Sequence, residues 1–201
     1  MAGEPSRVIG LDAVRRALRG HRPCVVAAPG AQPAAVALML LETGQGLETL
    51  FIRRAVRTGD PWSGQVALPG GRRAAGDADL LATAIRETRE ETGVELSGSE
   101  RLGALDDLHP QTPTLPPVVV RPFVFALGRR PALVPSDEVD RAFWLPLARL
   151  AAADARRSVT LTVRGEACTF AAYLVDDELI WGMTERILTP FLRQIGLLDQ
   201  E

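Results

Sequence analysis

Pro69-Gly70-Gly71 and Arg86-Glu87-Thr88-Arg89-Glu90-Glu91-Thr92-Gly93 are the two segments from which the rest of the chain is interpreted. The first follows a short apolar run, a pattern typical of a strand that ends in a tight turn. Asp77 and Asp79 suit a helix start, because their side-chain oxygens can accept from free backbone N–H groups. Apolar residues then recur at helical spacing, and Gly93 is a suitable stop. The sequence therefore predicts a strand, a glycine turn and a helix ending at Gly93.

Three carboxylates project from one side of this predicted helix, because Glu87, Glu90 and Glu91 are spaced i, i+3 and i+4. Like charges at this spacing destabilise a helix by a few tenths of a kcal/mol per pair, roughly. A hard divalent cation reverses that repulsion, and Mg²⁺ takes carboxylate, phosphate and water oxygens as ligands. The alternative is an ordinary solvated charged face. The flanking glycines, the adjacent Arg86 and the fixed spacing favour a site for Mg²⁺ or Mn²⁺.

These residues resemble the signature of the Nudix hydrolases, and the matching positions are Gly71, Asp77, Arg86-Glu87, Glu90-Glu91 and Gly93. The chain departs from the signature in having Asp rather than Glu at position 77 and one additional residue before Arg86. The additional residue looks like the variant in Nudix enzymes that cleave coenzyme A. The resemblance implies an α/β fold, a Nudix-type α/β/α sandwich with a mixed β-sheet, in which the acidic helix packs on the sheet.

The resemblance also implies roles for individual residues. Glu87, Glu90 and Glu91 would be metal ligands together with the carbonyl of Gly70, and Arg86 would orient the carboxylates through charge-assisted hydrogen bonds. In many Nudix enzymes a Glu just ahead of a run such as 143–147 reaches the metals or activates water, and Glu138 occupies that place here. The alternative for Glu138 is a cap on a neighbouring element. The general base is then Glu138 or one of the helix glutamates.

Three arginines near the signature are candidates for contacts with substrate phosphates: Arg53, Arg54 and Arg72. The planar guanidinium fork suits bidentate binding of phosphate oxygens. The same fork also suits an exposed surface, so for Arg53, Arg54 and the nearby Arg57 a surface role is the alternative interpretation.

The substrate is predicted from segments outside the signature. Residues 63–71, Pro122-Phe123-Val124 and Trp181-Gly182 are similar to the pattern of Nudix coenzyme A pyrophosphatases, although those enzymes usually have His near Trp62 and Phe at Leu68. The resemblance implies cleavage of coenzyme A or acyl-CoA to 3′,5′-ADP and 4′-phosphopantetheine. ADP-ribose, a dinucleoside polyphosphate or an oxidised nucleotide is the alternative substrate. A non-catalytic nucleotide-binding regulatory module is a further alternative, but such a module would be expected to lose the motif acids that this chain retains.

Composition limits the other classes of function. The 201 residues are 46% hydrophobic and 24% charged, which is typical of one soluble globular domain over residues 1–201. A net charge of −2 gives no support to a nucleic-acid surface. No apolar run approaches the roughly 20 residues of a membrane span, and Cys24 and Cys168 form no disulfide or zinc pattern. We therefore expect a cytoplasmic protein with a small-molecule nucleotide substrate. A homodimer stays open, because dimers are common among the Nudix proteins.

The remaining chain predicts further helices and strands. Pro122 within a strand indicates an edge or a bulge, and the proline-rich residues 111–117 indicate a binding loop. The predicted helices are 11–18, 147–155 and a final helix after Gly182; the predicted strands are 24–28, 35–41 in a hairpin with 49–53, 118–127, 159–163 and 169–174.

Overall fold

A computed structural model describes residues 9–60, 62–111, 116–163 and 165–200. The helices are α1 (Leu11–Leu18), α2 (Leu80–Thr92), α3 (Leu147–Ala151) and α4 (Met183–Gln194). The strands are β1 (Gln32–Thr43), β2 (Gly46–Arg54), β3 (Val66–Ala67), β4 (Gly70–Arg72), β5 (Glu100–Ala104), β6 (Val118–Leu127), β7 (Val139–Pro146), β8 (Arg156–Val163), β9 (Glu166–Val175) and β10 (Glu178–Trp181).

Within the described residues, seven strands form a mixed sheet around the long central pair β1 and β6. These two strands run parallel, whereas β1 pairs antiparallel with β2 and β4. The order across the sheet is β3-β2-β1-β6-β5, with β7 added on β2. The strands β10, β9 and β8 form a separate antiparallel sheet. The predicted hairpin of β1 and β2 is confirmed.

Both faces of β1 are buried, which explains its nearly continuous apolar sequence. Successive side chains of a strand point to opposite faces, so Leu38 and Leu40 join one core while Ala37 and Met39 join the other. The first core includes residues of α1 and α4, and the second includes Ala84 of α2. The mixed sheet therefore lies between helices, and the predicted α/β/α sandwich is confirmed.

The ends of α2 follow from local chemistry. The Asp79 side chain accepts from the N–H of Ala82 and caps the first turn. Gly93 ends the helix in the left-handed region at φ 74°, with its N–H donating to the carbonyl of Arg89. Of the two predicted starting acids, Asp79 alone is the cap, while Asp77 lies two residues earlier and has other partners.

Three sequence predictions differ from the structure, one of them in part. Residues 24–28 form no strand, because the N–H groups of Cys24 and Val26 donate to the Asp106 and Asp107 side chains instead of to a neighbouring strand. Pro122 does not lie on an edge strand, because β6 lies between β1 and β5, but the β5–β6 pairing does shift register nearby, between Arg101 and Gly103. The helix predicted over 147–155 ends at residue 151, where the chain turns extended toward β8.

Two features of the chain bear on the other sequence expectations. Within the predicted binding loop 111–117, residues 112–115 lie outside the described residues. Among the helices that the structure describes, none has both the length and the apolar character that crossing a membrane would require.

Candidate functional site

A cleft of about 590 Å³ opens beside β4 and α2. One part of its wall is apolar and comes from β1, β6 and α4. The wall also carries ionisable side chains, which are Arg54, Asp60, Arg72, Glu87, Glu91 and Glu138. The cleft is therefore lined by apolar residues together with acids and arginines.

Gly70 fixes the buried acid of the cleft. Its N–H donates to Oε2 of Glu91 at 2.8 Å, and the Glu91 residue is only 3% exposed. Gly70 adopts φ +152°, and a Cβ there would lie within 2.5 Å of Val36 Cα and closer still to the Ala35 carbonyl oxygen. A residue with a side chain would therefore displace the turn that places this N–H.

The Glu91 carboxylate is buried, and few nearby groups offset the cost of keeping its negative charge away from water. Burial raises the pKa of Glu91 to about 7, while the Gly70 N–H and the nearby Arg54 oppose the shift and the charges of Glu87 and Glu138 add to it. Among the described residues, the closest cation is Arg54, whose Nη1 lies 3.8 Å from Oε1 of Glu91. A buried carboxylate in this setting favours protonation or the binding of a cation.

Gly71 makes room for the second acid of the cleft. A Cβ on Gly71 would lie 2.5 to 2.7 Å from the carboxylate atoms of Glu87. The close approach brings Glu87 against the turn, where burial raises the pKa of its carboxyl group and the Arg86 guanidinium opposes that shift. The two glycines thus each position one carboxylate of α2.

Arg86 contacts three acidic side chains at the same time. Its Nε and Nη2 contact the two carboxylate oxygens of Asp77 at 2.8 and 2.9 Å. Its Nη2 also lies 2.9 Å from Glu87, and its Nη1 donates to Glu90 at 2.8 Å. The Arg86 guanidinium holds the pKa of Asp77 well below its usual range, aided by the N–H of Ala74. One guanidinium therefore orients three carboxylates, and it does not itself line the cleft.

The three predicted ligands do not occupy equivalent positions. Glu87 and Glu91 line the cleft, whereas Glu90 is bound to Arg86 and its side chain is 51% exposed. Across the part of the chain that the structure describes, no three His, Cys, Asp or Glu side chains form a group that could hold a metal ion. The role of Glu90 as a ligand stays a prediction.

Glu138, the predicted base, lies in the turn before β7 and lines the same cleft. Its Oε1 accepts from Nη1 of Arg57 at 2.9 Å, and the side chain is 55% exposed. Glu87, Glu91 and Glu138 therefore line the same cleft. The negative charge of Glu138 repels that of Glu91 and adds to the rise in the Glu91 pKa.

Of the three arginines predicted to contact substrate phosphates, two line the cleft and one does not. Arg54 and Arg72 line the cleft, and the Arg72 guanidinium lies 5.7 Å from the centre of the Trp62 ring. Arg53 is absent from the cleft wall and pairs instead with Glu178, a buried acid that also pairs with Arg141. Because adjacent side chains of β2 leave the strand on opposite faces, the structure brings Arg54 to the cleft and not Arg53.

Sequence reasoning did not predict the partners of two acids at the site. Asp77 is predicted as a signature position and a helix start, and the structure shows that it accepts from both fork nitrogens of Arg86, nine residues away. Asp60 has no role in the sequence-based prediction, whereas in the structure it accepts from Arg54 at 2.9 Å. The fixed offset between an acid and the motif arginine could have indicated the first pair, and no local pattern indicated the second.

The donor set fits a hard divalent cation. Glu87 and Glu91 supply carboxylate oxygens to one cleft, and Mg²⁺ in proteins typically takes one or two carboxylates and keeps waters and phosphates as its other ligands. Among the described residues, the nearest cation to the buried Glu91 carboxylate is Arg54, at 3.8 Å and beyond hydrogen-bond distance. A metal cation beside Glu91 would therefore offset both its burial and the repulsion from Glu87.

Known proteins resemble this chain in sequence. The NUDIX domain family matches residues 30–162. The human mitochondrial coenzyme A diphosphatase NUDT8 is 32% identical over 170 residues, which cover 82% of this chain and 70% of the human protein. An uncharacterized protein of Schizosaccharomyces pombe is 41% identical over 106 residues, which cover 50% of this chain and 32% of that protein.

A solved structure resembles the chain in fold. The crystal structure of a MutT/nudix family protein from Enterococcus faecalis superposes with a TM-score of 0.54 and 19% sequence identity. The superposition covers 94% of this chain and 75% of that one. At this identity the likeness concerns the fold alone.

Proposed function

The chain belongs to the Nudix hydrolase family, and on that premise we propose that it is a Mg²⁺- or Mn²⁺-dependent diphosphatase of coenzyme A or acyl-CoA. The observation that carries the choice of substrate is the similarity to a coenzyme A diphosphatase over 82% of this chain. The similarity of residues 63–71 to the coenzyme A pyrophosphatase pattern supports the same choice.

The proposed reaction is hydrolysis of the diphosphate bridge. A water oxygen attacks one phosphorus atom, and the bond from that phosphorus to the bridging oxygen breaks. The products are 3′,5′-ADP and 4′-phosphopantetheine, or its acyl form, so one water is consumed and no oxidant or second substrate is needed.

The chain supplies ligands and orientation for this reaction. Glu87 and Glu91 would hold the cation together with Glu90 and the carbonyl of Gly70. A bound divalent cation neutralises phosphate charge and lowers the pKa of water. Arg86 keeps the carboxylates of Glu87 and Glu90 in fixed positions.

Two further groups of the cleft have proposed roles. Glu138, or one of the helix glutamates, accepts the proton of the attacking water at a carboxylate oxygen. Arg72 presents its guanidinium to the cleft beside Trp62 and is the candidate for contact with substrate phosphates.

A substrate panel tests the proposal. The purified protein is assayed with Mg²⁺ against coenzyme A, acetyl-CoA, ADP-ribose, a dinucleoside tetraphosphate and an oxidised nucleoside triphosphate, with a chelator as the metal-free control. We expect the highest kcat/KM for coenzyme A or acetyl-CoA, with 3′,5′-ADP among the products. Faster cleavage of ADP-ribose would overturn the choice of substrate. Nucleotide binding without metal-dependent hydrolysis would indicate a regulatory module.

A further inference from the structure

Asp60 connects two parts of the cleft wall. It lies in the loop between β2 and β3, and its side chain is 18% exposed. One carboxylate oxygen accepts from Nη2 of Arg54 at 2.9 Å, and the other accepts from the backbone N–H of Trp62 at 3.0 Å. Asp60 therefore fixes both a guanidinium and the backbone that carries a cleft-lining Trp.

The guanidinium of Arg54 lies between two carboxylates. Its Nη2 is bound to Asp60, while its Nη1 is 3.8 Å from Oε1 of Glu91, beyond hydrogen-bond distance. The other oxygen of Glu91 is held by the Gly70 N–H. Arg54 is therefore hydrogen-bonded to Asp60 and not to Oε1 of Glu91.

Removal of the Asp60 charge would change this balance. The Arg54 side chain is only 26% exposed and its Nε has no hydrogen-bond partner, so an unpaired guanidinium would be poorly compensated by solvent. The nearest remaining carboxylate in the described residues is that of Glu91. Arg54 would then bind Glu91 directly, and its positive charge would stand where a metal cation is proposed to bind.

We propose that Asp60 is a positioning residue, which holds Arg54 away from Glu91 and so keeps the Glu91 carboxylate available to a cation. The role rests on the proposed function, because it takes Glu91 as a cation ligand. It adds a residue that lies outside the signature segment and that acts on Glu91 through Arg54. The same side chain accepts from the Trp62 N–H, so it also holds the backbone of the loop that carries this cleft-lining Trp.

Metal affinity is the first test. The probe is Mn²⁺ alone, titrated without substrate and followed by the electron paramagnetic resonance signal of the free ion. Asp60→Asn should weaken Mn²⁺ binding by about 10- to 100-fold, the range typical of residues that orient metal ligands. Asp154→Asn is the matched control, because Asp154 is exposed and does not line the cleft, and it should bind Mn²⁺ as the unmodified protein does. Unchanged affinity in Asp60→Asn would overturn the proposal.

A double-mutant cycle separates this role from a general effect on the fold. If Asp60 acts through Arg54, Asp60→Asn should change Mn²⁺ affinity by less than about 2-fold in an Arg54→Gln background, because the charge that it restrains is already gone. An equal loss in both backgrounds would overturn the proposal, since it would mean that Asp60 acts through the loop alone. Asp60→Glu, which keeps the charge, should recover part of the affinity.

A metal-free measurement keeps the two proposals distinguishable. Amide hydrogen exchange at Gly70 reports the bond to Glu91 directly. In Asp60→Asn the Arg54 guanidinium should draw the Glu91 carboxylate toward itself and lengthen its bond to Gly70. Exchange at Gly70 should therefore accelerate while Ala84 in α2 stays as protected as before, and Asp154→Asn should change neither. If the unmodified protein binds no Mn²⁺, the proposed metal function fails, and the exchange data still decide whether Asp60 positions Glu91. Unchanged Gly70 exchange in Asp60→Asn would overturn the positioning role.

Discussion

The N–H of Gly70 donates a 2.8 Å hydrogen bond to Oε2 of Glu91, so the glycine turn and the acidic helix are joined at their most buried point. The neighbouring glycine meets Glu87 instead, at a distance that leaves no space for a side chain on residue 71. The two glycines thus contact the two acids that line the cleft. The two glycines should tolerate a side chain differently. Gly70 lies against the backbone of Ala35 and Val36, whereas Gly71 lies against the end of the flexible Glu87 side chain.

Gly70→Ala should destabilise the fold. Its φ of +152° disfavours any side chain, and the added Cβ would meet backbone atoms of Ala35 and Val36 that cannot move cheaply. We expect a loss of at least about 2 kcal/mol in the free energy of unfolding, measured by urea denaturation. Gly76→Ala is the control, because a Cβ at Gly76 meets no atom within 4 Å. Equal stability of the two variants would contradict the expectation.

Gly71→Ala should reduce activity more than stability. The three atoms nearest to the added Cβ all belong to the carboxylate of Glu87, which can rotate away at small cost to the fold. We expect unfolding within about 1 kcal/mol of the unmodified protein and a loss of kcat of about 10-fold or more, as for misplaced metal ligands. The two quantities are measured on the same preparation. A large loss of stability with full activity per folded molecule would show that Glu87 does not need its observed position.

Asp77→Asn should lose stability in a pH-dependent way. The pKa of Asp77 is lowered in the folded protein, chiefly by its hydrogen bonds to Arg86. Its contribution is therefore fully present above about pH 4, the ordinary pKa of Asp, and is lost as the pH falls further, because the unfolded chain takes up the proton first. Urea denaturation near neutral pH and near pH 3 should show a difference from the unmodified protein that shrinks in acid. A difference that is constant with pH would contradict this account, and Asp154→Asn should show none.

Local patterns predicted the framework of the site. The hairpin of β1 and β2 and the limits of α2 depend on turn residues, caps and periodicity, which act within a few residues of chain. The strand predicted at residues 24–28 failed because its N–H groups are satisfied by aspartate side chains some 80 positions away, Asp106 and Asp107. The β-strand propensity of a short segment contains no information about partners that are so distant in sequence.

The charged contacts of the cleft depend on side-chain direction. Arg53 and Arg54 are neighbours in sequence, yet one pairs with Glu178 and the other with Asp60. The ion pair of Arg57 with Glu138 joins residues 81 positions apart. The sequence therefore predicted which residue types gather at the site, but not which arginine holds which acid.

Glu90→Gln should remove most turnover and leave the fold intact. The resemblance makes Glu90 a metal ligand, and an amide would keep a hydrogen bond to Arg86 while losing the charge that attracts a cation. We expect kcat at saturating Mg²⁺ to fall by about 100-fold or more, the scale of groups that act on the reacting atoms. Glu95→Gln is the control, because Glu95 is exposed and pairs only loosely with Arg89. A rate near that of the unmodified protein would mean that Glu90 serves Arg86 rather than the cation.

Arg86→Lys should uncouple the acids of the site although it keeps the positive charge. The guanidinium contacts Asp77 with two nitrogens and reaches Glu87 and Glu90 at the same time. An ammonium group is a single point of charge and cannot reproduce that geometry. We expect a loss of about 2 kcal/mol in the free energy of unfolding and a decrease in kcat of about 10- to 100-fold with a smaller change in the KM for substrate, because the Arg86 side chain does not line the cleft. Arg89→Lys, at an exposed arginine of the same helix, should leave both quantities unchanged. If Arg86→Lys instead raised KM and spared kcat, Arg86 would be a substrate contact and not the residue that orders the carboxylates.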